Sequence, residues 1–326
     1  MSAGERTLTW RPPASWGTGR PDLGLLAPHR RGPGDPTYRI EGPVDGGVHW
    51  RGLRTPEGPA TLALRVTGDA VQASAWGAGA DWALGSVPGL FGADDDPSGF
   101  EPPEGLLEHP GFRDALRRGG VPRLGRTGLV MEAMLPSILE QKVTGQEAFG
   151  GFREVVRRFG EQAPGPGAER RLWIQPDAAT LSSIPSWEWL RMHVDPARSR
   201  AVVTAARVAA SLERTVGLPA TPEGRGEVER RLTSLPGIGE WTAAEVRQRA
   251  HGDADAVSFG DYHVCKDVGW GLTGRPWDDE EMRAYLAPCR PHRQRLVLLV
   301  YRAFGHRPRH GPRMAPRTHL PTRSWV

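Results

Sequence analysis

Leu235-Pro236-Gly237-Ile238-Gly239-Glu240-Trp241-Thr242-Ala243 is the stretch that decides the fold of this chain of 326 residues. Leu232 and Leu235 close one apolar helical face; Pro236-Gly237 and Gly239 then break the helix. Trp241 opens a second helix that runs to about residue 251, so the spacing predicts two short helices around a glycine hairpin over 226–251. Without a Cβ, Gly237 and Gly239 let the backbone approach a ligand closely. The free N–H groups and positive dipole end of the second helix face whatever docks there. A phosphate suits such a place, and contact with it carries no sequence information. Ile238 and Thr242 flank this surface and are counted with the two glycines as candidates for that phosphate contact. Taken alone, Pro-Gly-x-Gly is also an ordinary helix–helix turn.

The context lies downstream. Ala256-Val257-Ser258-Phe259-Gly260-Asp261 sets an extended apolar piece before a lone aspartate, and Asp261 opens a further helix. Aspartate is a common N-cap, and a cap fixes where its carboxylate points. Hairpin and aspartate at this spacing resemble the helix–hairpin–helix superfamily of DNA base-excision glycosylases, which implies that Asp261 is catalytic. Bifunctional members such as endonuclease III carry a lysine at the place of Trp241, and that lysine attacks the sugar carbon. A tryptophan forms no Schiff base. At Trp241 the chain resembles the AlkA type of 3-methyladenine DNA glycosylase II, which implies a monofunctional enzyme. The resemblance spans about residues 5–305 and is strongest at 129–150 and 233–305.

The family pattern adds four further residues. Ile138-Leu139-Glu140-Gln141-Lys142 resembles the AlkA-type segment that enters the minor groove, where the residue after the glutamine fills the gap left by the flipped base. That residue is Lys142 here, in place of the usual apolar wedge. A lysine lays its methylenes in a gap and reaches a phosphate, or it is simply a solvated loop residue. Tyr301 falls where the AlkA type has a pocket aromatic, and with Trp241 it would stack on a cationic methylated purine; packing in the core is the plain alternative. Glu245 follows Trp241 by one helical turn, where the family has an aromatic. It either attracts a cationic base in the pocket or turns to solvent.

Composition sets the frame. The net charge is +4, with 42 Lys plus Arg, of which only Lys142 and Lys266 are lysine. Arginine suits phosphate, although a GC-rich genome produces the same bias. Most of the 12 tryptophans are expected in the core. Two cysteines, Cys265 and Cys289, make no disulfide framework, and they exclude the four-cysteine iron–sulfur loop of some superfamily members. His263-x-Cys265 and Cys289-x-x-His292 hold four potential zinc ligands without the usual finger spacing, so no metal is predicted. No signal peptide or long apolar run appears, and a soluble cytoplasmic protein is expected, with no membrane partner.

The expected fold is mostly α with an N-terminal α+β domain: a small antiparallel sheet domain at 1–92, a two-lobed helical glycosylase core at 93–305 and a basic tail at 306–326. Period two at 7–10, 38–40, 48–51, 61–66 and 71–76 predicts strands with one wet face. A short helix is expected at 23–26, and 81–92 closes the unit. Asp94-Asp95-Asp96-Pro97 marks the boundary and reads as solvated caps. Helices follow at 111–118 and 129–141, then one capped by Thr144-x-x-Glu147. Others are expected at 196–213, with Ala201, Ala205, Val208 and Leu212 inward and Arg198 and Arg200 free for phosphate or solvent, at 278–287 and at 291–304. Trp187 and Trp189 read as core.

The function implied is flipping and excision of alkylated purines from double-stranded DNA by a monomer, with no cofactor required and room for a monovalent cation at the hairpin. A glycosylase for another damaged or mismatched base, or a noncatalytic hairpin module, are the alternatives; the latter has no need of Asp261.

Overall fold

The computed structural model describes residues 4–16 and 21–308. Alternating apolar and polar residues give strands β1 (Arg6–Trp10), β2 (Tyr38–Glu41), β3 (Val48–Thr55), β4 (Gly58–Thr67) and β5 (Ala70–Trp76). They form one antiparallel sheet in the order β1-β5-β4-β3-β2. Gly68, with φ of 62°, makes the tight return between β4 and β5. The 3-10 turn Leu23–His29 and helices α1 (Ala80–Gly85) and α2 (Val87–Leu90) cover one face through Leu26, Leu62, Leu64, Ala83 and Leu90.

The other face is not wet, as alternation alone would have it. Trp50 and Ala63 meet Ala163, Leu172 and Ile174 from the helical part of the chain. Arg51, one residue on, points back to the first face beside its cross-strand partners Tyr38 and Leu62, and is buried there because it pairs with Glu132. The sheet is a middle layer rather than an edge layer.

Helices α3 (Pro110–Gly119), α4 (Val130–Leu139) and α5 (Gly145–Phe159) follow, then the short α6 (Pro166–Glu169), α7 (Ala178–Ser183) and α8 (Ser186–Arg191). α9 (Pro196–Arg207) and α10 (Ala209–Glu213) are separated at Val208, which is exposed rather than inward. α11 (Pro222–Thr233) and α12 (Glu240–Val246) flank the hairpin, and α12 runs on as a π-helical turn, Arg247–His251. α13 (Val264–Thr273), α14 (Asp279–Leu286) and α15 (Arg293–Phe304) complete the fold. One core joins α4, α5, α9, α11 and α12 through Met134, Ile138, Phe152, Val202, Leu232 and Val246. A second joins α3, α13, α14 and α15 through Phe112, Val268, Met282, Leu296 and Val300. The chain crosses from the first to the second between His251 and Val257. Among the described residues no helix is long and apolar enough to cross a membrane.

Several expectations about charge and tryptophan are corrected. Asp95 is no solvated cap: it takes both Arg295 Nη atoms at 2.7 Å, and that pair is buried. Asp94 pairs with Arg126, while Asp96 caps Ser98. Arg198 is buried, bound to Asp195 Oδ2 and Leu139 O at 2.7 Å each, and is free for neither phosphate nor solvent. Trp50, Trp189 and Trp277 are buried, whereas Trp187 is 61% exposed. Most described tryptophans are half-buried, because an indole spans more depth than these small cores offer. At the other end, His306 and Arg307 do not begin a free tail; both pair with the buried Asp267 of α13. The remainder of the basic tail, from 309, lies outside the described residues.

Candidate active site

Asp261 stands where the chain enters the second core. Gly260, with φ of 81°, turns the apolar piece, and Asp261 N–H donates to Ser258 O at 3.2 Å. Oδ1 then accepts from His263 N at 2.7 Å and Val264 N at 3.1 Å, the first free amides of α13. The expected cap is present and lies three residues ahead of Val264, where the helix proper begins. Oδ2 accepts from Trp241 Nε1 at 3.1 Å. The carboxylate is therefore held at both oxygens, and it remains half-buried rather than enclosed. Gly260 N–H binds Asp279 Oδ1 at 2.8 Å. Arg283 lies over the Phe259 ring at 3.9 Å and grips Glu240 Oε1 and Oε2 at 2.9 and 2.6 Å. That bridge ties the first residue of α12 to α14 across the loop that carries Asp261.

The hairpin is tied to the other joint. Gly237 has φ of 86°, and a Cβ there would lie 3.0 Å from Ala201 Cβ, so the turn requires glycine twice over. Its carbonyl accepts from Gln141 Nε2 at 2.9 Å, and the same amide nitrogen reaches Thr242 Oγ1 at 2.9 Å. Gln141 is thus a strut between joint and hairpin. Two residues expected at the DNA surface are inside instead: Thr242 is 2% exposed and holds Gln141, and Ile238 is 4% exposed and belongs to the first core. The hairpin contributes its backbone, not these side chains. Gly239 is exposed in an extended conformation (φ −94°) with nothing within 4 Å of a virtual Cβ. It leaves open space in front of α12.

Lys142 is exposed, with φ of 53°, a left-handed conformation that L-residues seldom take. Both flanks impose it. Gln141 is fixed by the strut, and Thr144 and Glu147 close a full capping box at the start of α5. The turn lifts Lys142 out of the joint.

Glu245 neither lines an open pocket nor turns to solvent. It is buried, with Oε1 accepting from Ser258 Oγ at 2.5 Å and Oε2 from Arg249 Nη1 at 2.6 Å. Burial pushes its carboxyl up, but the charge of Arg249, the Ser258 hydroxyl and Arg31 outweigh it and hold it below the usual range. Tyr301 sits in the second core with its ring 4.9 Å from that of His306. Gln141 with Gly237 and Thr242 forms one hydrogen-bonded group and Trp241 with Asp261 a second, and the peptide bond between Trp241 and Thr242 joins them into one chain of contacts. Charged residues that the sequence did not single out extend it: Arg31, Glu140 and Arg249. Cys265 and Cys289 are buried with their thiols toward Asp261 O and Tyr285 O, and burial pushes both thiols up. Among the described residues no three His, Cys, Asp or Glu side chains stand together in a way that would hold a metal ion.

No protein-family model matches the chain, and no curated protein does. Solved structures do. The 3-methyladenine DNA-glycosylase from Archaeoglobus fulgidus aligns with a TM-score of 0.68 at 18% identity, over 91% of this chain and 99% of that one. An 8-oxoguanine glycosylase/lyase from Clostridium acetobutylicum aligns in its apo form with a TM-score of 0.63 at 12% identity, over 92% and 98%. In complex with double-stranded DNA it aligns with a TM-score of 0.60 at 13% identity, over 86% and 91%. At such identities the likeness is one of backbone, and it extends over the sheet layer as well as both helical cores. This chain has the fold of the helix–hairpin–helix DNA glycosylases.

Proposed function

We propose that this protein is a monofunctional DNA N-glycosylase that flips alkylated purines, 3-methyladenine and related bases, out of duplex DNA and releases them, leaving an abasic site. The observation that carries the reading is the Asp261 carboxylate held at 3.1 Å by the indole of Trp241, in the first turn of the hairpin's second helix. A carboxylate so oriented is a stabiliser of positive charge, and its neighbour from the hairpin is no nucleophile.

Duplex DNA is gripped through backbone amides near Gly239, and Lys142 stands at the joint beside the hairpin. Flipping costs a few kcal/mol, least at a damaged base. Alkylation at N3 or N7 makes the purine cationic, so the C1′–N bond breaks with its electron pair leaving on a base that departs neutral. Positive charge builds on the sugar, where Asp261 stabilises it and orients the incoming water. Water supplies the new C1′–O bond and gives up a proton; no redox or nucleotide cofactor enters this balance. A monovalent cation at the hairpin belongs to the same reading. Carbonyl oxygens are neutral hard donors with two lone pairs. Leu235 O and Gly237 O each already accept one bond, from Ile238 N–H and Gln141 Nε2. Double-stranded DNA as partner, a monomer as the working unit and a cytoplasmic place of action complete it.

Release of bases from methylated genomic DNA, separated by chromatography, tests the proposal. 3-Methyladenine should appear free, and the DNA should stay unbroken until alkali is added. Absence of any released base, or a borohydride-trapped protein–DNA adduct, refutes it.

A further inference from the structure

Two contacts cross between the helical cores beside Asp261. One is the Trp241 indole on Asp261 Oδ2 at 3.1 Å, a single bond from α12 of the first core to the loop that enters the second. The other starts one residue earlier. Glu240, the first residue of α12, takes Arg283 of α14 through both carboxylate oxygens, Oε1 at 2.9 Å and Oε2 at 2.6 Å. A bidentate charged fork fixes direction as well as distance, which a lone indole bond does not. The stronger crossing holds the weaker one in register.

The same guanidinium reaches the loop on which Asp261 stands. Its Nε donates to Asp279 Oδ2 at 3.0 Å, and Asp279 Oδ1 accepts the Gly260 N–H at 2.8 Å. It also covers the buried Phe259 ring at 3.9 Å. Further back, Ser258 is anchored by Glu245 and Gln248. Between that anchor and Asp261 stands Gly260, with φ of 81° and no Cβ to restrict it. The loop would give at this glycine. Asp279, itself oriented by Arg283, holds its amide.

The side chains of Arg283, Glu240 and Asp279 are 42%, 45% and 32% exposed. Water screens such pairs, and their worth to overall stability is small. What they fix is direction. We propose that Arg283 is a positioning residue for base release: it holds Gly260 and the start of α12 in one frame, so that the Trp241 indole meets Asp261 Oδ2 and the carboxylate keeps its aim at the sugar. A lysine does not replace it, because an ammonium keeps the charge and lacks the planar fork. This inference rests on the glycosylase reading above and adds to it a residue from α14.

The test is single-turnover release of 3-methyladenine at saturating enzyme by wild type, Arg283→Gln, Arg283→Lys, Trp241→Phe and the double variant of Arg283→Gln with Trp241→Phe. Melting temperatures are measured beside it. Saturation keeps any change in DNA affinity, from the uncovered charge of Glu240, out of the rate. Both Arg283 variants should slow release about fivefold, the upper range for an exposed ion pair, while the melting temperature moves by less than about 4 °C. In the Trp241→Phe background, Arg283→Gln should cost less than about twofold, because the bond it keeps in register is gone. Unchanged release by Arg283→Gln, full activity in Arg283→Lys, or strict additivity with Trp241→Phe overturns the inference and leaves the glycosylase reading standing. A folded wild type that releases no base overturns both.

Discussion

Trp241→Phe isolates what the indole N–H does for Asp261. The substitution keeps an aromatic ring on α12 and removes one donor to Oδ2, leaving Oδ1 on the amides of His263 and Val264. Two effects oppose each other. An undamped Oδ2 carries more negative charge, which favours the developing cation. An untethered Oδ2 rotates about the bond that Oδ1 still anchors, and it rehydrates because the site is half-open. A hydrogen bond to a charged group is worth about 1.5–3 kcal/mol. With one oxygen still anchored the loss belongs at the low end, so base release should slow about tenfold, near 1.4 kcal/mol in the barrier. The assay is single-turnover release of 3-methyladenine by wild type, Trp241→Phe, Asp261→Asn and the double variant. Asp261→Asn should cost orders of magnitude more. In its background the Phe change should cost almost nothing, since the carboxylate it orients is gone. Strict additivity of the two losses, or an unimpaired Trp241→Phe enzyme, would refute the reasoning.

The hairpin glycines should separate: Gly237→Val strains a left-handed residue against Ala201 and should lower stability by about 1–3 kcal/mol, whereas Gly239→Ala should leave the melting temperature alone and weaken binding to damaged and undamaged DNA alike. Equal melting losses would contradict the geometry. Lys142→Ala and Lys142→Leu distinguish charge from plugging at the joint: if charge dominates, both lower the slope of log affinity against log salt by about one unit, and if plugging dominates only the Ala variant fails. Should neither change binding, Lys142 is outside the interface. Burial lowers His251 to about 4, so its folded pKa lies below the unfolded one and the unfolded state takes the proton first as pH falls. Stability from this residue is intact above pH 6.5 and shrinks by about 3 kcal/mol as pH falls through 4; denaturant unfolding of His251→Gln should show a correspondingly flatter pH dependence, and an unchanged slope would exclude His251 as its source.

What was legible in the sequence was local. Strand alternation placed all five strands of the sheet. Thr144-x-x-Glu147 and Asp278-x-x-Glu281 marked real capping boxes, and the Asp261 cap is a bond to residues two and three ahead. What failed depended on partners far along the chain. Asp95 looked solvated because its partner, Arg295, lies 200 residues away. Arg198 looked free because Leu139 O, which it binds, is 59 residues behind it. Glu245 is the local exception: Arg249 stands one turn on, yet only the fold of the loop that brings Ser258 to its other oxygen buries the pair. Each misreading has one cause. The rule that charges stay in water assumes that only water can solvate them, and here arginine does so instead. Arginine is what this sequence has in abundance, with Lys142 and Lys266 the only lysines. The planar guanidinium loses less on leaving water than an ammonium does and makes directional bonds to carboxylates. Units of this fold can therefore be joined by buried ion pairs where apolar contacts would otherwise be needed. The same choice explains why the candidate site borrows from the sheet layer. Arg31 reaches Pro28 O and faces Glu140 across the junction, a contact that no motif in the helical core encodes. Removing that layer would leave Glu140 without the Arg31 charge that faces it and Arg249 without the Pro28 carbonyl that positions it, so the sheet layer is part of the candidate site rather than a support beneath it.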